Sequence, residues 1–414
     1  PGNQWDTLST QVEVVEKIMD PPQILRIEAD PLKVHLSGII ELQCIALDIN
    51  NDTLSYVWSA VTGNITAKDE RATYTAPDQA GNYYIKCKVS DTDLMTVMDS
   101  IEVMVRDLSV EPSGNLIAFY PLNGNAQDAS GYGNHGTPAG ITWVADKEES
   151  PSKAAQFNGL SSSIRIPNNE LLNFQDALSI AGWIMIDQFL EHEQHPVSHG
   201  SWQNRYKVSI GDQNLRFTIN TSDGIRDLDS KSLLAPGQWY HIAVVYDGAD
   251  MEIWLDGKLD AFTPHSGLIN TTSYDLVFGQ NLPGDNNYNF KGKLDAVSIF
   301  DYGLSPAQIK EHLENSINVG VNEKVLATGK RYQVFPNPVT GSVIQIAVKT
   351  LTPEGISFSL SDLSGKQALE NKYFNTVKGS STFSLPLEAL KNGIYVLSIT
   401  GKDWKAVELI MVLR

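Results

Sequence analysis

The 414-residue sequence has only two cysteines, few basic residues and no long hydrophobic run. Two cysteines, Cys44 and Cys87, exclude a small disulfide-stapled scaffold and any cysteine-rich metal cluster. Lys and Arg number 31 against 49 Asp and Glu, a formal net charge of −18. Such a surface repels phosphate backbones and anionic lipid, so neither nucleic acid nor a membrane surface is an expected partner. No stretch reaches the ~18–20 apolar residues that a membrane-crossing helix needs. The best run, Ala406 to Leu413, is short and carries Glu408. The chain opens at Pro1 with no apolar leader, reads as a processed or cropped product, and so says nothing against secretion. No Gly-rich phosphate loop and no Ser/His/Asp set with a nucleophile elbow is visible.

What is present is β-structure. Alternating apolar and polar residues recur, broken at short intervals by Asp-Gly, Asn-Gly and Gly-Asn turns, a pattern of sandwiches rather than of α/β folds. The length suggests about three domains. Pro21 and Pro22 end an opening segment, 1–21, whose Thr10–Met19 run fits helix or strand equally. A first β domain is expected over 22–107. Pro112-Ser113-Gly114 marks a linker, a second and longer domain fills 114–317, and a hydrophilic linker, 318–331, precedes a third over 332–414. From Tyr332 to Arg414 eight basic residues stand against six acidic ones, so all of the excess acid lies upstream. The one convincing helix is Ser305 to Asn315: Ser305 caps it, Pro306 suits its first turn and Gln308 completes a capping box. Ile309 and Leu313 would share its buried face.

In the first domain, Tyr83, Ile85, Cys87 and Val89 point one way along a strand. The order Cys44, Trp58, Cys87 suits an immunoglobulin-type sandwich with an indole beside two facing strands. The two cysteines are either bridged, the expected state, or two buried thiols. A bridge would stabilise the domain by up to roughly 4 kcal/mol on the chain-entropy model. Leu54-Ser55-Tyr56-Val57-Trp58, Tyr74-Thr75-Ala76-Pro77 and Val89-Ser90-Asp91 resemble PKD and related bacterial Ig-like modules, and Ile85 stands where antibody-type domains carry tyrosine. The resemblance implies a spacer or adhesion module.

The second domain contains Asp128-Ala129-Ser130-Gly131-Tyr132-Gly133-Asn134-His135-Gly136, Phe157-Asn158-Gly159, Gly182-Trp183, Trp239-Tyr240-His241 with Asp256-Gly257, and Gly292-Lys293-Leu294-Asp295. In that order they resemble the LamG-like group of concanavalin A-type lectin and glucanase folds, which implies a two-sheet jelly roll. The resemblance also implies a structural calcium ion at the sandwich rim, held by Asp128 and Asp295 with Asn134 as a third ligand. Oxygen-rich, Gly/Asn-rich loops suit Ca²⁺, although Asp128 alone could equally cap an Asx turn. For a carbohydrate the expected contacts are Trp202, Arg205, Arg216, Arg226, Asn286, Asn287 and Tyr288; Trp183 and Trp239 read as core or half-buried. The Glu-x-Asp-x-x-Glu pattern of the related glucanases is absent. His192-Glu193-Gln194-His195, with His199 four further on, has the wrong spacing for a zinc protease helix, and Pro196 would break one. It reads as a solvated loop, the alternative being a histidine-rich loop that takes up zinc opportunistically. No catalytic activity is expected.

The third domain reads as a small β-sandwich with Tyr395, Leu397 and Ile399 in its core. Pro336-Asn337-Pro338, Gly393-Ile394-Tyr395 and the near-terminal Lys405 closely resemble the type A C-terminal sorting domain of type IX secretion, a system of Bacteroidota. The resemblance implies passage through the periplasm and the outer-membrane translocon. It also implies meeting shuttle and sortase-like components, with cleavage between Asn318 and Lys330. The whole sequence thus reads as an all-β, secreted or surface-bound protein: an Ig/PKD-like sandwich, a LamG-like jelly roll and a small Ig-like sandwich. Its expected task is binding a glycan or surface polymer. The alternatives are the non-catalytic tail of a larger secreted enzyme and a structural adhesin that contacts protein.

Overall fold

The computed structural model describes residues 20–315 and, from there on, 332–335, 339, 343–350, 355–362, 366–376, 379–387, 390–402 and 405–412. The opening segment, the expected cleavage region and Pro336, Asn337 and Pro338 lie outside the described residues. The chain divides into two compact units, Pro1–Glu111 and Pro112–Arg414.

The first unit is a sandwich of two four-stranded sheets. One sheet contains Gln23–Asp30, Ile39–Leu47, Arg71–Thr75 and Asn64–Lys68, and the other contains Lys33–His35, Thr96–Arg106, Gly81–Ser90 and Ser55–Ala60. Period-two burial decides which side chains meet: Ile85, Cys87 and Val89 are buried while Tyr84, Lys86 and Lys88 are exposed. Trp58 sits opposite Cys87 in the strand register, and its indole Nε1 donates to the Asp69 carbonyl at 3.2 Å. The expected bridge is corrected here. Cys44 and Cys87 are free, buried thiols. Ile40, Leu42, Tyr74, Ile85 and Val103 close the core around them, and the two thiols neighbour each other. Burial pushes both thiols above their ordinary range, which makes neither a ready nucleophile.

The second unit contains a larger sandwich of a seven-stranded and an eight-stranded sheet. The seven-stranded sheet runs Thr137–Ala139, Ser163–Ile166, Leu276–Phe278, Gln194–His199, Tyr206–Gly211, Asn214–Thr221, Gly224–Asp229. In the other, Leu178–Ile186 lies between Trp239–Tyr246 and Lys291–Phe300. Every residue of Leu178–Ile186 is buried, because the helix Pro306–Asn315 and its approach cover the outer side of that sheet. The capping box forms as expected: Gln308 N donates to Ser305 Oγ at 3.2 Å, and Ser305 N donates to Gln308 Oε1 at 2.9 Å. Ile309 is fully buried.

Two sequence signatures turn out to be fold glue. A Cβ on Gly292 would lie 2.2 Å from the Met185 carbonyl oxygen, so only glycine lets these strands approach. In the Asp256-Gly257 turn both residues have positive φ (48° and 76°), the geometry of a tight hairpin. Asp256 Oδ1 also accepts the His241 N–H at 2.9 Å.

The remaining strands form sheets of three (Tyr332–Phe335, Val343–Thr350, Gly379–Pro386) and four (Gln367–Asn375, Gly355–Asp362, Gly393–Thr400, Lys405–Val412) around a core containing Ile346, Phe358, Leu397 and Ile399. Tyr395 is half-buried and its hydroxyl donates to the Lys391 carbonyl at 3.0 Å. Gly393 and Lys405 are exposed at the starts of their strands.

Candidate functional site

The outer side of the seven-stranded sheet carries a dense polar network. Tyr206, Val208 and Ile210 face the core, which turns Lys207 and Ser209 outward; likewise Leu215, Phe217 and Ile219 alternate with Arg216 and Thr218, and Leu228 with Asp227 and Asp229. Glu193 folds over this ladder from the preceding loop. Lys207 Nζ donates to Glu193 Oε2 at 2.5 Å, Ser209 Oγ donates to Oε1 at 2.7 Å, and His195 Nε2 lies 3.1 Å from Oε2. Burial by itself would raise the Glu193 carboxyl, but donors from His195, Lys207 and Ser209 and the ammonium charge outweigh it and hold the group well below the carboxylate range. Burial dominates at His195 and lowers it, so that imidazole is neutral near pH 7. Tyr288 stacks on its ring, centroids 5.1 Å apart and planes 21° from parallel, and His192 meets Tyr288 edge-on.

Beside this network, Arg216 forks onto Asp229, Nε to Oδ1 at 2.6 Å and Nη2 to Oδ2 at 2.8 Å, both side chains remaining partly open to solvent. A cleft of about 350 Å³ lies here, lined among others by Leu190, His192, Glu193, Asp212, Arg216 and Asp229. Its chemistry is a set of neutralised charge pairs with spare lone pairs and N–H groups, next to an exposed phenol ring.

The structure splits the expected carbohydrate contacts. Arg216 lines the cleft, and Tyr288 stands over His195 beside it. Trp202 is exposed on the short helix Ser201–Asn204, but at the opposite end of strand Tyr206–Gly211, roughly 17–20 Å away at strand rise. Arg226 belongs to the other face, with its Nη2 donating to Thr263 Oγ1 at 2.8 Å in a strand of the second sheet. Asn286 Oδ1 accepts from Gln280 Nε2 and Asn289 Nδ2, and Asn287 Nδ2 donates to Asp285, so both amides shape their own loop. Arg205 is a correction: it is fully buried, donating to the Asn270 and Phe174 carbonyls at 2.6 and 2.5 Å, and its guanidinium lies 5.0 Å from the Phe174 ring. It bolts loops together and offers nothing to a ligand. His192-Glu193-Gln194-His195 is also corrected. Gln194 begins a strand, His195 is buried, and Glu193 is an ion-pair hub rather than part of a solvated loop. Its signal in the sequence was the alternation Lys207, Ser209 and Arg216, Thr218 on otherwise apolar strands.

The expected calcium set does not fit a cation. Asp128 Oδ1 accepts from Phe119 N and Ser130 N, and Oδ2 accepts from Ser130 Oγ and Asn134 N, all at 2.8–2.9 Å. Four donors already occupy its lone pairs. Asn134 does meet Asp128, but its Nδ2 donates to the Ile117 carbonyl and its Oδ1 accepts from Asn169. Asp295 keeps different company: burial first, then the nearby Asp146 charge, pushes its carboxyl up to about 7, against weaker pulls from Lys147 and Lys153. The Asp128 loop is a hydrogen-bonded Asx cap, the other reading its residues allowed.

On the outer side of the eight-stranded sheet, sequence reasoning missed a relay. His241 Nε2 lies 2.9 Å from His312 Nδ1, and His312 Nε2 lies 3.0 Å from Ser298 Oγ, tying the helix Pro306–Asn315 to the sheet. Trp183 packs edge-on against His241, and Lys147 Nζ sits 4.3 Å over the Trp183 ring. Burial lowers His312 to about 4; burial, then the His312 and Lys147 charges, lowers His241 to about 2.

With this geometry in view, comparison with known proteins is informative. The family model for the concanavalin A-like lectin/glucanases superfamily matches residues 158–310, and that for the secretion system C-terminal sorting domain matches residues 333–413. No curated protein matches the chain. Among solved structures, domain 4 of AbnA, a GH43 extracellular arabinanase from Geobacillus stearothermophilus in complex with arabinotriose, is 22% identical at a TM-score of 0.41, covering 49% of this chain and all of its own. The binding domain of Paraclostridial Mosquitocidal Protein 1 is 16% identical at 0.42, covering 70% and 75%. That of botulinum neurotoxin DC, in complex with rat synaptotagmin II, is 12% identical at 0.41, covering 73% and 78%. Likenesses of this size carry no information about a ligand. The two family matches identify domains and a destination: this all-β chain is a type IX secretion cargo, with a LamG-like domain of the concanavalin A-like group and a C-terminal sorting domain that directs export to the cell surface or beyond.

Proposed function

We propose that the exported protein binds a glycan or related surface polymer, without turnover, in the cleft beside Arg216, Asp229 and Tyr288. The observation that carries this reading is the outward fork of Arg216 on Asp229 in a cleft whose His192 meets the partly exposed Tyr288 ring edge-on. A sugar presents adjacent hydroxyls, each donor and acceptor, and an apolar C–H face. A guanidinium–carboxylate pair answers the first and an aromatic ring the second.

The absence of turnover is supported by the state of the carboxylates. A glycosidase needs one carboxyl kept protonated near neutral pH. Glu193, the buried carboxylate of the cleft, is driven the opposite way by donors from His195, Lys207 and Ser209 and by the Lys207 charge.

A glycan array probed with the full chain, followed by titration of any hit, tests the proposal. Arg216→Ala and Tyr288→Ala should each weaken binding at least ~10-fold, about 1.4 kcal/mol, while Trp202→Ala leaves it unchanged. Binding lost only in Trp202→Ala would move the site to the far end of the sheet. Silence on the array with affinity for a surface protein would replace the glycan reading with the adhesin. Sugar cleavage by the pure chain would overturn the non-catalytic reading. A gene with a hydrolase domain upstream of Pro1 would make this region a binding tail.

The sorting domain engages the secretion machinery. We further infer that a sortase-like protease removes it between residues 318 and 330. Terminal mapping on cells by mass spectrometry tests the cleavage, and deletion of 332–414 should hold the cargo in the periplasm.

A further inference from the structure

Three carboxylates meet at one end of the N-terminal sandwich. Asp48 and Asp52 lie in the loop between strands Ile39–Leu47 and Ser55–Ala60, and Asp91 follows strand Gly81–Ser90. Ser55 pairs with Ser90, so the two loops leave the sheets side by side. One oxygen from each of Asp48, Asp52 and Asp91 lies within 4.8 Å of the others. Among the described residues this is the one group of three or more His, Cys, Asp or Glu side chains so arranged.

Proximity of acids alone would mean little. What points to a ligand is how the oxygens are used. Asp91 is only 5% exposed; its Oδ1 accepts from Met95 N at 2.9 Å, while its Oδ2 is buried and receives no hydrogen bond. Asp48 repeats the division. Its Oδ1 accepts from Asn50 N and Asp52 N at 2.8 and 3.2 Å, and its Oδ2 is buried without a donor. Each of these two carboxylates spends one oxygen on its own loop and keeps the other back. Asp128, by contrast, has both oxygens filled by N–H and O–H donors. A buried carboxylate oxygen without a donor is costly unless a cation meets it.

We propose that Asp48, Asp52 and Asp91 bind one calcium ion. The donors are all hard oxygens, with neither imidazole nor thiolate, which disfavours zinc and copper. Ca²⁺ accepts irregular shells of six to eight oxygens, completed by main-chain carbonyls and water, whereas Mg²⁺ demands a near-ideal octahedron. A site on two adjacent surface loops of an exported module suits the weak, millimolar class of extracellular calcium sites. Bound calcium would pin the two loops to each other and stiffen that end of the sandwich.

Equilibrium dialysis of the full chain against calcium alone, together with scanning calorimetry in calcium and in EDTA, tests this. One ion per chain is expected, with calcium raising the unfolding temperature of the N-terminal domain. Asp48→Asn and Asp91→Asn should each weaken binding at least ~10-fold, because ligand charge sets affinity in such sites. Asp128→Asn and Asp295→Asn should leave it intact. In EDTA the two Asn variants should unfold at the same temperature as the parent or higher, since neutralising one acid relieves repulsion. Loss of stability in EDTA as well would make these residues loop caps and overturn the proposal. No ion bound at ~10 mM calcium, binding that survives both substitutions, or equal affinity for magnesium would also overturn it. If Asp91→Asn does not fold, the half-buried Asp52→Asn carries the same expectation of lost binding.

Discussion

Over the seven-stranded sheet, Glu193 is paired with Lys207 and Arg216 with Asp229, and Glu193, Arg216 and Asp229 line an open cleft. Over the eight-stranded sheet, the buried His241 and Asp295 and the half-buried His312 lie beneath a helix and loops, and the pulls of Lys147 and Lys153 on Asp295 are too weak to offset its burial. The two faces share one sandwich and similar side chains, yet they settle charge differently. Where a partner of opposite sign is built in, burial preserves the charge, as at Glu193. Where it is not, burial removes the charge: the imidazoles become neutral and the Asp295 carboxyl holds its proton close to neutrality. The proposed ligand cleft lies on the first kind of face, and helix attachment on the second.

The contrast can be broken hardest at Lys207. Lys207→Met should leave Glu193 half-buried beside a missing ammonium and destabilise the domain by roughly 3 kcal/mol; denaturant unfolding would measure it, and a neutral result would mean that solvent already screens the pair.

The next effect is a pH dependence of the sealed face. The folded-state values of His241 and His312 lie below the unfolded value near 6.5, so their contribution is complete above that pH. It is lost as pH falls from ~6.5 toward about 4 for His312 and about 2 for His241, at up to ~1.4 kcal/mol per pH unit for each ring. Asp295 runs the other way. Its folded value of about 7 exceeds the unfolded one, so its contribution is present at low pH and disappears as pH rises through 7. Asp295→Asn should therefore raise the unfolding temperature at pH 8 and steepen the acid limb between ~pH 6.5 and 4. Calorimetry across that range would show both, and an unchanged profile would remove Asp295 from the sealed set. The smallest stability effect is expected at Arg216. As a partly exposed pair with Asp229, its loss in Arg216→Ala should cost under ~1 kcal/mol, even where glycan affinity falls tenfold.

Much of the architecture was legible because it is local. Alternation set which side chains of Gly81–Ser90 turn inward, and Ser305, Pro306 and Gln308 marked a helix start that forms the reciprocal hydrogen bonds expected of it. Trp183 is buried and Trp239 half-buried, as their neighbours implied. The site was less legible. Arg205 directly precedes one β-strand and Arg216 lies in the next, and nothing nearby in sequence tells that one ends against the Asn270 and Phe174 carbonyls and the other against Asp229 in a cleft. The Asp128 oxygens show the same limit in part: three of their donors come from nearby Ser130 and Asn134, but the fourth is the Phe119 N–H of a preceding strand.

The sequence by itself determined the all-β class, the capped helix, the acidic cargo and the near-neutral sorting tail, since periodicity, capping and composition act within a few residues of each other. Only the tertiary structure decided which carboxylates are spent and which are kept back. Asp48, Asp52 and Asp91 come from loops some forty residues apart, and Glu193 and Lys207 from opposite ends of a hairpin. The state of a charge is fixed by the desolvation and the donors around it, and those are supplied by whatever the fold brings alongside.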